Sequence, residues 1–206
     1  MVTTTWQPES ALGCHPDLLE RLLGELSPEK YRVAAVLHPN IWGVHGTWQV
    51  RAWFADCLRA GLLLLPPQEG WRAALAAADV VIGDHGSVTS YGAAVGVPVV
   101  LASPVRDSFL RMGSLAEVVS RGAVRLRPDR PLPEQLREAV ECCSPLRQRR
   151  IAGLITSRPG QAAQILRGTM YRLLDLTEPD RKLVDVPVPL PVPLGGREPF
   201  GLAEGA

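Results

Sequence analysis

The stretch that decides the fold is AAADVVIGDHGSVTSYGAAVGVPVVLA, residues 76–102. It contains a short apolar run at 80–83, a polar loop at 84–87, a helix of small residues, a Gly-Val-Pro stop and a second apolar run at 99–102. This order and length are typical of one β-α-β unit. Because neither apolar run alternates with polar residues, both are predicted to be strands buried on both faces of a parallel sheet.

Similar patterns extend this unit in both directions along the chain. Further strands are predicted at 2–5, 31–37, 62–65 and 123–126. Apolar residues at helical spacing predict helices at 16–26, 49–60, 70–77, 114–120, 133–142, 146–155 and 160–174. Six short strands that alternate with helices predict an α/β fold, a doubly wound, Rossmann-like parallel sheet with helices on both faces.

The chain is predicted to divide into a domain at 1–176 and a tail at 177–206. The tail contains the run VDVPVPLPVPLGG after Leu183, which is rich in proline and has no apolar period. Such a composition favours an extended chain over a packed one. The tail is therefore expected to be largely disordered.

Composition excludes several classes of protein. The 22 basic and 21 acidic residues nearly cancel, so overall charge favours neither a nucleic acid nor an anionic membrane as a partner. Neither a long apolar run nor a signal peptide is present, so no membrane span and a cytoplasmic location are predicted. The four cysteines lack CxxC spacing, which predicts reduced thiols rather than zinc ligands or disulfides.

The expected position of a binding site follows from the order of the strands. If the order is the common 3-2-1-4-5-6, ligands bind outside the carboxyl ends of the first and fourth strands. Residues 5–10, which begin with Thr5 and Trp6, follow the first strand, and Asp84–Ser87 follow the fourth. His38 ends the second strand and is expected at the same edge.

The loop at 84–87 has the composition of an anion site. Free backbone N–H groups in the first turn of a helix bind anions, Gly86 would allow close approach, and Ser87 adds a hydroxyl. Equally, Ser87 could serve as a helix cap and Gly86 as a turn residue. A serine-hydrolase site is disfavoured, because Asp84, His85 and Ser87 are sequence neighbours without a G-x-S-x-G pattern.

Two histidines are candidates for catalysis. His38 and His85 directly follow strands, where an imidazole can bond a phosphate or act as an acid or base. A metal site built from them and His45 lacks a supporting carboxylate, so no metal and no cofactor are predicted. The arginines at 147–158 are expected to form a solvated helix face, with phosphate contact as the alternative.

Four segments together resemble the C-terminal, donor-binding half of GT-B transferases. They are TTTW at 3–6, HPN at 38–40, DVVIGDHGSVTSY at 79–91 and GVPVV at 96–100. The chain is most similar to CDP-glycerol glycerophosphotransferases and UDP-N-acetylglucosamine 2-epimerases. The resemblance covers about residues 2–126, and residues 160–174 are similar to the closing helix that packs across the two GT-B halves.

The resemblance implies a role for particular positions. His38 matches the histidine of the family's His-Pro pair, and Asp84, Gly86 and Ser87 match its phosphate loop. A nucleotide-diphosphate donor is the implied ligand, with His38 and His85 as the catalytic residues. The residues implied to bind the donor are Thr5, Trp6, Asp84, His85, Gly86, Ser87 and Val88.

Two departures from the family leave the nucleotide open. His85 stands where the family has a tyrosine, and Tyr91 where many GT-B relatives have an acid that binds ribose. Because a GT-B active site lies between two halves and the first predicted strand begins at Val2, turnover is expected to need an N-terminal half, upstream or in a partner chain. The alternative is a regulatory module that binds a nucleotide or anion without chemistry.

Overall fold

The computed structural model describes residues 1–104, 111–181 and 186–194. Within these ranges the chain forms a six-stranded sheet in the order β3-β2-β1-β4-β5-β6, and all paired strands are parallel. The strands are β1 Val2–Thr4, β2 Ala34–Leu37, β3 Leu63–Leu65, β4 Val81–Gly83, β5 Val99–Leu101 and β6 Val124–Arg125. The predicted α/β class and Rossmann-like parallel sheet are confirmed, and the strand order is the one on which the expected position of the binding site was conditional.

Helices connect and flank the strands. They are α1 Ala11–Cys14, α2 Leu18–Glu25, α3 Pro39–Trp53, α4 Ala55–Arg59, α5 Trp71–Ala76, α6 Ser87–Val95, α7 Leu115–Gly122, α8 Leu132–Glu141, α9 Pro145–Ile155 and α10 Ala162–Leu173. Helix α1 was not predicted, because four residues are too few to show a helical period. In the described ranges, none of the helices combines the length and apolarity needed to cross a bilayer.

Helix α3 begins ten residues before the predicted helix. Pro39 suits a first turn, because its fixed φ is already helical and its missing N–H needs no partner there. The Nδ1 atom of His38 caps this turn by accepting a hydrogen bond from the Asn40 N–H at 3.1 Å. Gly46, at φ +75°, then interrupts the helix, and α4 follows after Phe54. The predicted helix at 49–60 is therefore the second half of α3 together with α4.

The core explains why the central strands have no polar alternation. Ile82 and Val100 face one hydrophobic cluster, built with α1–α4 and α8. Val81, Val99 and Leu101 face a second cluster, built with α5, α6, α7 and α9. Successive side chains of a strand point to opposite faces of the sheet. Both faces are covered by helices, so every position in these strands is apolar.

Part of the tail is packed against the sheet. The Leu194 N–H donates a hydrogen bond to the Leu64 carbonyl at 2.7 Å, at the outer edge of β3. The Leu194 side chain packs against the first cluster, and a Cβ added at Gly70 would lie 2.8 Å from the Pro191 Cα. Residues 191–194 thus cover part of a sheet edge and pair one of its backbone carbonyls. The tail at 182–185 and 195–206 lies outside the described residues.

Replacing Leu194 with aspartate is expected to lower the free energy of unfolding by about 1–3 kcal/mol, because the variant places a charge against the apolar core. The matched control is Leu190→Asp, since Leu190 is in the same tail and 80% exposed. The control should stay within about 0.5 kcal/mol of the parent. Urea unfolding measures both, and equal stability of the two variants would show that residues 191–194 do not hold the edge of β3.

Candidate functional site

The order of the strands creates a crevice between β1 and β4. The chain winds outward from β1 to β3, then returns to β4 on the other side of β1 and winds the opposite way. In such sheets, ligands bind outside the carboxyl ends of the two strands at this switch point. Since β1 ends at Thr4 and β4 ends at Gly83, Thr5 and Asp84 lie at the mouth of the crevice.

Asp84 is the centre of a buried hydrogen-bond network at this mouth. Asp84 is only 1% exposed. Oδ2 accepts hydrogen bonds from the Thr5 N–H at 2.7 Å, the Thr5 hydroxyl at 2.9 Å and the Ala11 N–H at 3.0 Å. Oδ1 accepts one from the Gly86 N–H at 2.9 Å. One carboxylate therefore fastens the loop after β1, the start of α1 and the loop before α6.

These bonds give Asp84 a positioning role. Among the described residues, no lysine or arginine forms an ion pair with it. The charge is instead balanced by N–H donors, including that of Ala11 at the positive end of α1. A contact between Asp84 and a donor, as the resemblance implies, would have to compete with four hydrogen bonds inside the chain.

The first turn of α6 offers three backbone donors at the crevice. In the part of the chain that the structure describes, the N–H groups of Ser87, Val88 and Thr89 have no partner, and the N–H of Ser90 bonds the Gly86 carbonyl at 3.3 Å. Gly86 is the N-cap and supplies no side-chain bond to these donors. Such unpaired donors, together with the positive end of the helix, are the elements of an anion site.

Two glycines at the site make room for neighbouring protein atoms. A Cβ added at Gly83 would lie 2.2 Å from the Thr89 Oγ1 and 2.7 Å from the Thr3 Cγ2. A Cβ added at Gly86 would lie 3.0 Å from the Asp84 Oδ1. The role of Gly86 in close approach of a phosphate stays a prediction, and the contact with Asp84 is a separate reason for a glycine at this position. A bulky residue at this position would disturb the Asp84 network first.

His38 and His85 lie at the same edge of the sheet. The His38 N–H donates to the Thr4 carbonyl at 3.1 Å, which places the end of β2 beside the end of β1. Because Nδ1 of His38 accepts the Asn40 N–H, protonation of both ring nitrogens would break the cap of α3. Nε2 is the atom left for a ligand. His85 is exposed, and its side chain has no hydrogen bond to any described residue.

The other predicted contact residues differ in what they offer. Thr5 is half-buried and is held by Asp84, whereas Trp6 is exposed beyond the end of β1. The side chain of Val88 packs against the second cluster, so only its N–H faces the crevice. Ser87 is exposed, and its hydroxyl makes no hydrogen bond within the described ranges.

Sequence patterns missed a pocket beside α6. A pocket of about 440 Å³ opens between α5 and α6, where the Trp71 and Tyr91 rings stack with centroids 6.3 Å apart. Tyr91 lies one turn along α6 from Ser87, so the pocket begins on the same side of the helix. The lining residues are Trp71, Arg72, Leu75, Ala76, Tyr91, Val95 and Val97. The sequence places Trp71 at the start of a predicted helix, but it does not indicate that the Trp71 ring stacks on Tyr91.

A buried hydroxyl near the crevice was also missed. The Oγ of Ser103 is buried and has no hydrogen-bond partner among the described residues. Ala102, just before it, donates its N–H to the Gly83 carbonyl at 2.7 Å, so Ser103 lies beside the end of β4. Ser103 directly follows the predicted fifth strand, and this position could have marked it as a candidate for the crevice.

The two more buried thiols are poor nucleophiles. Burial raises the pKa of Cys14 in α1, and the carboxylates of Glu9 and Asp84 add to that effect. Burial also raises the pKa of Cys57, where Glu20 adds to it. Both thiols stay protonated at neutral pH, and only the thiolate attacks.

Comparison of the chain with protein-family models, curated protein sequences and solved structures finds no significant match. The assignment of a function therefore depends on the chemistry of the crevice.

Proposed function

We propose that the chain binds a nucleotide diphosphate at the first turn of α6, as a domain of the kind that binds the donor in GT-B glycosyl- and glycerophosphotransferases. The observation that carries this proposal is the set of unpaired N–H groups of Ser87, Val88 and Thr89 at the switch point of the sheet. Phosphate oxygens accept hydrogen bonds from such donors, and the helix dipole favours their charge.

The same donors suit the chemistry of a transferase. In glycosyl transfer the bond between the sugar and the diphosphate breaks, and negative charge grows on the nucleoside diphosphate that leaves. In glycerophosphate transfer the bond within the diphosphate breaks, and the charge grows on the nucleoside monophosphate that leaves. Backbone donors that are already in place stabilise this charge without reorganisation. The Ser87 hydroxyl and the Nε2 of His38 would add donors from the two sides of the crevice.

The pocket beside Tyr91 supports a nucleoside as the rest of the ligand. Its volume of about 440 Å³ lies in the range of small-molecule sites. The stacked rings of Trp71 and Tyr91 present an apolar, aromatic wall one helical turn from the phosphate donors. A planar base would gain stacking energy there, whichever base it is.

A regulatory module that binds the same anion without chemistry is the second candidate. It is favoured by the state of the two histidines. The Asn40 N–H holds the His38 ring with its hydrogen on Nε2, so Nε2 can donate a hydrogen bond but cannot take up a proton as a base. No described residue orients His85, whereas a general acid or base normally has a partner that fixes its ring. Release of free nucleotide from UDP-N-acetylglucosamine or CDP-glycerol would favour the transferase.

Replacing Ser87 with proline is expected to weaken the binding of CDP, UDP or GDP by about tenfold or more, as for the loss of a hydrogen bond to a charged group. Proline removes the N–H and the hydroxyl but is accepted in a first helical turn. Gly86, at φ −66° and ψ 159°, already has the extended conformation required before proline. Calorimetry on the full chain measures the affinity.

Ser87→Ala is the matched control, since it removes the hydroxyl and keeps the N–H. It should weaken binding less than Ser87→Pro does. The proposal fails if none of the three nucleotides binds at millimolar concentration, or if Ser87→Pro binds as tightly as Ser87→Ala.

A further inference from the structure

Two adjacent cysteines lie in the connection between α8 and α9. Cys142 and Cys143 belong to residues 142–144, which join the two helices, and both cysteines are free and exposed. Neighbouring side chains in a helix are turned apart by about 100°, but this constraint does not apply in the connection. Cys142 and Cys143 both line one cavity of about 50 Å³. The two residues therefore share one small space at the surface.

Two polar groups lie beside these cysteines. The Cys143 thiol donates a hydrogen bond to the Gly96 carbonyl, with sulfur and oxygen 3.8 Å apart. Arg147 lines the same cavity, and one of its guanidinium N–H groups donates to the Gly122 carbonyl. Within the described ranges, Arg147 pairs with no carboxylate, and its remaining guanidinium N–H groups make no hydrogen bond. A small polar molecule in the cavity would therefore meet two cysteines and a guanidinium group with unused donors.

The other two cysteines have different surroundings. Cys57 is 4% exposed and belongs to the first cluster. Cys14 lies in α1, beyond the carboxyl end of β1, whereas Gly96 comes just before the amino end of β5. Cys14 is thus at the opposite edge of the sheet from Cys143. We expect a reagent in solution to reach Cys142 and Cys143 first.

We propose that Cys142 and Cys143 are a site of reversible oxidation by hydrogen peroxide, which joins their two sulfur atoms in a disulfide. The thiolate of one cysteine attacks a peroxide oxygen, the O–O bond breaks, and hydroxide leaves and takes up a proton to become water. The thiolate of the other cysteine attacks the sulfur of the sulfenic acid that has formed. The S–O bond breaks, a second water leaves, and the disulfide forms. The two thiols lose two electrons, and one peroxide is reduced to two water molecules.

The site suits each of these steps. A cavity of about 50 Å³ has room for more than one water-sized molecule, so hydrogen peroxide fits. The unused N–H groups of Arg147 are available to donate to the oxygen that leaves as hydroxide. The second thiol is the next residue in the chain, so it can resolve the sulfenic acid at once. The proposal is independent of nucleotide binding at α6.

The spacing of the two cysteines explains why the oxidation is reversible. Cα atoms of adjacent residues are about 3.8 Å apart, whereas disulfides usually join Cα atoms about 4.4–6.8 Å apart. A bridge outside this range is strained and more easily reduced. A small thiol should therefore restore the two cysteines, as expected of a redox-sensitive site rather than a structural bridge.

Mass spectrometry of the full chain, before and after treatment with hydrogen peroxide, tests the proposal. The treated chain should lose the mass of two hydrogen atoms, and digestion should locate the bridge between Cys142 and Cys143. Cys14 and Cys57 should still react with an alkylating reagent after the chain is unfolded. Dithiothreitol should restore the original mass.

Single variants separate the roles of the two thiols. Cys142→Ser and Cys143→Ser should each stop at a sulfenic acid, which dimedone labels, and neither should lose two hydrogen atoms. Cys14→Ser is the matched control and should form the bridge as the parent does.

A third position tests the contribution of the guanidinium group. Arg147→Gln should slow the oxidation by about tenfold, as for the loss of a hydrogen bond to a charged group. Arg147→Lys keeps a charged donor and should recover part of the rate. An unchanged rate in Arg147→Gln, with the fold intact by circular dichroism, would remove Arg147 from the site.

Three results would overturn the proposal. The first is that all four thiols survive the peroxide, or that Cys14 and Cys57 are oxidised as fast as Cys142 and Cys143. The second is a disulfide between two chains, seen as a dimer that a reductant dissolves. The third is conversion of either exposed cysteine in the parent chain to a sulfinic acid without a bridge, since dithiothreitol does not reverse that product.

Discussion

Replacing Asp84 with alanine is expected to lower the free energy of unfolding by about 3–5 kcal/mol. The substitution removes an acceptor of four hydrogen bonds and leaves the N–H groups of Thr5, Ala11 and Gly86 without their partner. The carboxylate is 1% exposed, so water cannot easily replace it. Chemical denaturation of the purified variant measures the loss.

Two further variants bracket this effect. Asp84→Asn keeps the size of the side chain, but its amide NH₂ would face N–H donors, so we expect an intermediate loss. Asp79→Ala removes an exposed aspartate from the same β-α-β unit and should change stability by less than about 0.5 kcal/mol. If Asp84→Ala costs no more than this control, Asp84 does not hold the mouth of the crevice together.

Gly83→Ala is expected to destabilise the fold by about 3 kcal/mol or more, because one added methyl group overpacks the contact between β4 and α6. The new Cβ would meet the Thr89 Oγ1 at 2.2 Å and the Thr3 Cγ2 at 2.7 Å. Adding Thr89→Ala removes the closer of these two contacts. The double variant should therefore recover part of the lost stability, as measured by thermal or urea unfolding.

Gly24→Ala provides a control of opposite sign. Gly24 lies within α2, and nothing is found within 4 Å of its Cβ position. Alanine there should stabilise the chain by about 0.5–1 kcal/mol, because it lowers the entropy cost of helix formation. A similar, small effect of both glycine substitutions would contradict the close packing of α6 on β4.

The fold could be predicted because its central strands are buried on both faces. Val81 and Ile82 face different clusters, so the run is apolar throughout and is separated from β5 by one helix. Continuous apolar strands separated by a helix are typical of a parallel sheet that is covered on both faces. The position of the crevice then followed from the strand order alone.

The role of Asp84 could not be predicted in the same way. Its partners Thr5 and Ala11 lie 79 and 73 residues earlier in the chain. The sequence shows a polar residue after a strand, but not whether its side chain turns inward to the chain or outward to a ligand. The requirement for glycine at position 83 could not be predicted either, because the atoms that leave no room for a Cβ belong to Thr3 and Thr89 in other elements.

Helix α10 and the tail show a second limit of sequence patterns. Apolar spacing predicted the helix, but it did not show that Leu166 and Leu173 stay exposed. The repeat of prolines predicted an extended tail. The contact of Leu194 with Leu64 depends on β3 being an edge strand, which follows from the assembled sheet.

The central claim, that the first turn of α6 binds a diphosphate, is tested most directly by following backbone amide resonances during titration with UDP, CDP and GDP. We predict that the largest shifts with a nucleotide that binds occur at the N–H groups of Ser87, Val88 and Thr89, and that smaller shifts occur along the pocket at Trp71 and Tyr91. Largest shifts in another part of the chain, or none at saturating nucleotide, would contradict the claim.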